Sequence, residues 1–102
     1  MHLSTEQLNG TVYAVHSDDM VIGIGTTPQE AWADAISESH DSYRQAVHEC
    51  GDGRQSHEEW AHENFNESVC TPEAAIYINN GGTAFAELQD GRIGTHQESA
   101  AA

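Results

Sequence analysis

The chain is 102 residues long and carries 17 Asp and Glu residues against three Arg and no Lys, a formal net charge of −14 with histidine neutral. Because contacts to phosphate need Lys and Arg, this composition excludes binding of DNA or RNA through the phosphate backbone and disfavours an anionic membrane surface. The length predicts one domain over residues 1–102, with a frayed tail at 97–102.

The first predicted elements are a helical turn and a β-hairpin. Ser4 is a suitable N-cap with Gln7 three residues later, and Gly10 ends the turn. The β-rich runs 11–17 and 20–26 lie on either side of an acidic pair, which predicts a hairpin. In the second run glycines alternate with isoleucines, so one face of that strand is bare backbone that a helix or a partner can approach closely.

A long amphipathic helix is predicted next, from Pro28 to about Cys50. Thr27 is its N-cap, Pro28 takes the first helical position, Glu30 completes a capping box and Gly51 ends the helix. Apolar and small residues recur at helical spacing and predict the buried stripe, namely Trp32, Ile36, Ser39, Tyr43, Val47 and Cys50.

The second half of the chain predicts two short helices and another hairpin. Ser56 caps a helix from His57 to about Asn66, and residues 66–70 form a connector. Thr71 and Pro72 begin a further helix. The runs 83–88 and 92–96 are joined by a turn containing Asp-Gly, a strong hairpin signal.

These elements together indicate an α+β fold. We expect the two β-hairpins to merge into one antiparallel sheet, packed against the one long amphipathic helix and accompanied by two short helices. The first residues lack a basic region followed by an apolar run, no stretch approaches the roughly 18 apolar residues of a membrane span, and two cysteines are too few for a disulfide framework. A soluble cytoplasmic protein, monomeric or homodimeric, is expected.

The stretch HEEWAHEN, residues 57–64, contains the one sequence that approaches a metal-binding motif. His57 and His62 are five residues apart, about 140° around a regular helix, so they point to different sides. The spacing resembles the zinc helix of the dipeptidyl peptidase III family, which would make the histidines ligands and Glu58 the base. That resemblance covers six residues, and the family's third ligand comes from a second helix of a far larger domain. We therefore predict no enzyme, and a surface helix anchored by Trp60 and Phe65.

A structural zinc site is the alternative use of the same histidines. Two thiolates and two imidazoles suit tetrahedral zinc, here Cys50, His57, His62 and Cys70. The cysteines are also compatible with buried free thiols or with a disulfide, and these alternatives stay open. The main prediction is that the protein has no cofactor.

Carboxylates on the outer face of the long helix are the most informative feature. They recur at three- and four-residue steps, about 4.5–6 Å apart, against roughly 7 Å between phosphates of one strand. Such a row can occupy a groove that binds nucleic acid, and the short helix adds a second acidic cluster. The predicted partner-binding residues are Glu30, Asp34, Glu38, Asp41, Glu49, Glu58, Glu59 and Glu63. The alternative is that the charge serves only solubility or tolerance of high salt, with the seven histidines tuning it near pH 6.

Two segments resemble small proteins encoded by phages and prophages. They are GIGTTPQEAWADAI (23–36), which also resembles the hairpin-to-helix junction of HicB-type antitoxins, and CTPEAAIYINNGGTAFAELQDGRIGT (70–95). Small acidic phage proteins include anti-CRISPR and anti-restriction inhibitors, some of which mimic nucleic acid. The resemblance implies an inhibitor in the host cytoplasm that binds a basic host protein or ribonucleoprotein complex, without binding nucleic acid itself. A phage accessory protein whose charge is only solubilising is the alternative.

Overall fold

The computed structural model describes residues 2–50 and 55–101 and shows an α+β fold, with six helices and five strands in those residues. None of these helices is long and apolar enough to cross a membrane. In chain order the elements are α1 (Thr5–Leu8), β1 (Tyr13–His16), β2 (Val21–Gly25), α2 (Pro28–Glu38), α3 (His40–Cys50), α4 (His57–Asn64), β3 (Asn66–Val69), α5 (Pro72–Asn79), β4 (Ala86–Glu87), β5 (Ile93–Gly94) and α6 (His96–Ala101).

Four helices begin at the N-caps that the sequence predicts. In each, a Ser or Thr hydroxyl oxygen accepts a hydrogen bond from a backbone N–H three residues later, which satisfies one of the free donors of the first turn. The donor–acceptor distances run from 3.1 to 3.2 Å, at Ser4, Thr27, Ser56 and Thr71. Local capping chemistry is therefore confirmed as the signal that fixes where these helices start.

The single helix predicted over 28–50 is not confirmed, because the chain forms two helices, α2 and α3, separated at Ser39. Ser39 has φ −101° and ψ 14°, outside the helical region, although its N–H still donates to the Ala35 carbonyl. Its hydroxyl donates to the Ile36 carbonyl at 3.4 Å and lies 3.0 Å from the His57 imidazole. A serine that bonds nearby backbone in this way competes with regular helix geometry, and α4 supplies a further partner.

The two predicted hairpins both form, but they do not merge into one sheet. The main sheet is antiparallel with the order β2-β1-β3, and β4 pairs with β5 in a separate two-stranded sheet. The third strand of the main sheet, β3, comes from the segment predicted as a connector. It pairs with β1 from Tyr13↔Val69 to His16↔Asn66. A parallel bridge between Cys70 and Ile93 links the two sheets.

Helix α2 packs closely on strand β2, because the strand presents glycines and the helix presents alanines where they meet. A Cβ added to Gly23 would lie 2.8 Å from the Ala31 carbonyl oxygen and closer still to the Ala35 amide nitrogen. Gly25 meets Ala31 in the same way. The predicted close approach of a helix to the glycine face is confirmed.

This close contact also moves the buried face of the helix away from the predicted stripe. Ala31 and Ala35 are fully buried, whereas Trp32 and Ile36 are only half-buried. Only a side chain as small as that of alanine fits where the helix touches bare strand backbone, so the small residues, and not the large ones, face the sheet.

Helix α5 covers the opposite face of the sheet and completes three layers. Side chains alternate along a strand, so Val15 packs with α2 while Ala14 and Ile24 join the α5 side. The apolar core on that side contains Val12, Ala14, Val21, Ile24, Cys70, Ala74, Ala75, Ile78 and Ile93.

The C-terminal residues expected to fray lie in α6 as far as Ala101. Thr95 and Glu98 form a reciprocal capping box: the Thr95 N–H donates to a Glu98 carboxylate oxygen at 2.7 Å, and the Glu98 N–H donates to the Thr95 hydroxyl at 3.1 Å. The Thr71 hydroxyl donates to the same carboxylate at 2.7 Å. Glu98 thus links the start of α6 to the start of α5, and the sequence pattern T-x-x-E was its available signal.

Candidate functional site

The two histidines of α4 lie on different sides of their helix, as the five-residue spacing predicts. The His57 ring stacks on Tyr43 of α3, with centroids 4.7 Å apart and planes within 8°. The His62 ring stacks on Trp32 of α2 at 4.0 Å and 30°. Helix α4 contacts both α2 and α3, and each histidine packs against one of them.

His57 belongs to an aromatic cluster that holds α3 and α4 together. Burial, and to a smaller degree the neighbouring His40, lowers the pKa of His57, so its neutral form is favoured. Trp60 packs edge-on against Phe65 at 5.4 Å, which agrees with their predicted role as anchors. The Tyr43 hydroxyl donates to the Gln55 carbonyl at 2.6 Å.

The zinc alternative is not supported by the geometry of the described residues. Cys70 is 6% exposed, inside the apolar core, and burial raises the pKa of its thiol to about 12. Within the described parts of the chain, no group of three or more His, Cys, Asp or Glu residues is placed to hold a metal ion. Cys50, the fourth predicted zinc ligand, has a side chain that lies outside the described residues.

The eight predicted docking carboxylates are distributed over three helices. Seven are exposed, namely Glu30, Glu38, Asp41, Glu49, Glu58, Glu59 and Glu63. The break at Ser39 places Glu30 and Glu38 on α2 but Asp41 and Glu49 on α3. The row predicted along one helix is therefore interrupted, and its carboxylates lie on α2, α3 and α4, three helices that contact one another.

Asp34 differs from the other predicted docking residues. It is half-buried, and its carboxylate accepts a hydrogen bond from the Ile24 backbone N–H at 3.0 Å. Strand β2 is an edge of the main sheet, and the N–H of Val21 on this edge donates to the Thr83 carbonyl at 3.0 Å. Asp34 therefore has a structural role, satisfying an edge donor and tying α2 to the sheet.

A groove of about 370 Å³ lies between the helices α2 and α4 and the strand β3. We call it the Trp32 groove; it is lined by Pro28, Gln29, Trp32, Ala33, Ile36, Glu58, His62 and Glu67. The Trp32 indole N–H donates to the Glu67 carboxylate at 2.9 Å, which orients the ring and the carboxylate relative to each other. The groove combines an aromatic wall, formed by the Trp32–His62 stack, with two carboxylates.

Glu67 lines this groove and bonds Trp32, although no sequence pattern predicts it as a site residue. The sequence predicts a connector for its segment, which instead forms the strand β3 by pairing with β1, far away in the chain. Glu67 is 35 residues from Trp32. No local pattern brings these two residues together.

Comparison with known proteins adds no assignment. No family model matches the sequence, and no curated protein and no solved structure shows significant similarity to it.

Proposed function

We propose that this protein is a non-enzymatic binding protein that docks its acidic helices on the basic, nucleic-acid-binding surface of a host protein or ribonucleoprotein complex. In this role it resembles inhibitors of the anti-CRISPR or anti-restriction type. One observation carries the proposal: α2 and α4 pack together, display exposed carboxylates, and contain neither Lys nor Arg.

The packing of α2 supports this proposal. Its inner face is fixed on the sheet by the glycine–alanine contact, so its outer carboxylates are presented on a rigid element. A preorganised charged face loses little conformational entropy on binding. The net charge of −14 also favours fast, salt-sensitive association with a basic surface.

The test compares two triple charge reversals that change net charge equally. The first, Glu30→Lys with Glu38→Lys and Glu63→Lys, alters the two proposed docking helices, α2 and α4. The control reverses three exposed acids on other elements, Glu6→Lys, Glu73→Lys and Glu87→Lys. Both variants should keep the circular dichroism spectrum of the unmodified protein, because all six side chains are exposed.

Each protein is used to capture partners from a host lysate, and a captured basic protein is then purified with its nucleic acid. The unmodified protein and the control should displace that nucleic acid in a mobility-shift assay, and the helix variant should not. Binding should weaken as salt rises, because the attraction is between exposed charges. Equal displacement by both triple variants would contradict the proposal, and a captured partner that keeps its nucleic acid would contradict it as well.

A further inference from the structure

The Trp32 groove differs chemically from the rest of the acidic surface. In this groove the carboxylates of Glu58 and Glu67 border a concave space whose wall is the Trp32–His62 stack. The volume, about 370 Å³, is at the small end of the range of ligand sites. The groove is large enough for one long side chain.

We propose that the Trp32 groove binds the guanidinium group of an arginine side chain from the basic partner. This inference rests on the proposed function for the identity of the macromolecule, but the groove chemistry can be tested alone. Guanidinium is planar, stacks on aromatic rings and offers five N–H donors in a fixed fork. Those properties match an aromatic wall flanked by two carboxylates, each of which accepts charge-assisted hydrogen bonds.

Other ligand classes fit the groove less well. A phosphate or carboxylate ligand would be repelled by Glu58 and Glu67. A wholly apolar ligand would remove both carboxylates from water without adding a hydrogen bond to either, which costs free energy. A lysine ammonium would satisfy the charge, but it lacks the planar face and the fork of donors, so arginine should bind more tightly.

The experiment uses the full chain labelled with ¹⁵N and two capped peptides of equal length, one containing arginine and the other lysine at the same positions. The Trp32 indole N–H gives a resonance that reports directly on the groove, because it donates to Glu67. The indole of Trp60, the other tryptophan, packs against Phe65 and serves as the internal reference. The Trp32 resonance should shift and saturate with the arginine peptide, at lower concentration than with the lysine peptide, while the Trp60 resonance stays in place.

Matched variants separate groove binding from general attraction. Glu58→Gln and Glu67→Gln each remove one groove carboxylate and should weaken binding of the arginine peptide about tenfold, as expected for loss of a charge-assisted hydrogen bond. Glu59→Gln and Glu63→Gln remove the same charge from α4 outside the groove lining and should weaken it less than twofold. Glu58→Gln leaves the Trp32–Glu67 bond intact, so its effect cannot arise from a displaced indole.

Two outcomes would overturn the inference. One is equal weakening by all four Gln variants, which would indicate a diffuse field and leave the proposed docking function standing. The other is a Trp32 resonance that does not move when the arginine peptide binds. The two proposals can also fail separately. If the groove binds the arginine peptide but the triple charge reversal on the helices does not change displacement of nucleic acid, the proposed function is contradicted and the groove inference is not.

Discussion

Replacing Gly23 by alanine should strongly destabilise the protein, because the new methyl group would collide with backbone. The added Cβ would lie 2.8 Å from both the Ala31 carbonyl oxygen and the Ala35 Cα, where real Cβ contacts are essentially never below 3.0 Å. Backbone atoms of α2 cannot rotate away as a side chain can, so the whole helix must move off the sheet. Overpacking of this kind costs about 3 kcal/mol, the upper end of the usual range.

Part of that cost is offset in the unfolded chain. Alanine has less backbone freedom than glycine, which stabilises the folded state by about 0.4–1 kcal/mol. A net loss of about 2–3 kcal/mol remains, which corresponds to a fall of about 10–20 °C in Tm for a domain of this size. In urea, with a slope of about 1–3 kcal/mol/M, the unfolding midpoint should fall by about 0.7–3 M.

Gly10→Ala is the matched control. A Cβ at Gly10 would meet only the Gln7 carbonyl oxygen, at an ordinary 3.7 Å. Its unfolding midpoint should therefore equal or slightly exceed that of the unmodified protein. Unfolding is followed by circular dichroism in urea for all three proteins. If Gly23→Ala and Gly10→Ala unfolded at the same urea concentration, the argument that backbone contact holds α2 on the sheet would be refuted.

Three further predictions concern titratable and capping groups. Burial raises the pKa of the Cys70 thiol to about 12, so this thiol should react with iodoacetamide at pH 8 only as fast as the protein unfolds. Immediate labelling of Cys70 would show that its thiol is exposed. Because the pKa of His57 is lower in the folded protein, the imidazole takes up a proton more readily in the unfolded chain. The free energy of unfolding therefore decreases as the pH falls from about 6.5 towards the pKa of His57 in the folded protein. His57→Phe should therefore lose less Tm than the unmodified protein between pH 7.5 and 5.5, and an equal loss would contradict this. At Glu98 burial opposes ionisation, but the hydrogen bonds from Thr71 and Thr95 outweigh it and lower the pKa of the carboxyl group. The resulting contribution to stability is present above about pH 4.3 and is lost as the pH falls below it. Glu98→Gln should therefore lower the free energy of unfolding by about 1–2 kcal/mol at pH 7, measured in a urea melt.

Local chemistry explains which elements the sequence predicted well. The caps at Ser4, Thr27, Ser56 and Thr71 depend on a hydroxyl and an N–H three residues apart, so they can be recognised without knowing the rest of the fold. Alternating glycines likewise indicated where a helix would lie close to a strand. The exposed acidic residues of α2, α3 and α4 followed from the same helical pattern.

Features that depend on distant residues were missed. Ser39 interrupts the long helix, and one of its side-chain contacts is to His57 on another helix, 18 residues away. Strand β3 lacks a clear apolar alternation and forms by adding to β1, so Glu67 could not be placed beside Trp32 in advance. The acidic character of the candidate site was therefore predictable, whereas its groove was not.

The contact between α2 and β2 also supplies a fingerprint for finding relatives of this protein. Its four small residues follow the pattern G-x-G-x5-A-x3-A, from Gly23 to Ala35. Each position is limited by backbone distance and not by charge, so its identity should persist in relatives whose surface acids have changed completely. This spacing, together with the Thr-Pro helix start inside it, therefore defines the positions that a relative with the same helix–strand contact must keep small.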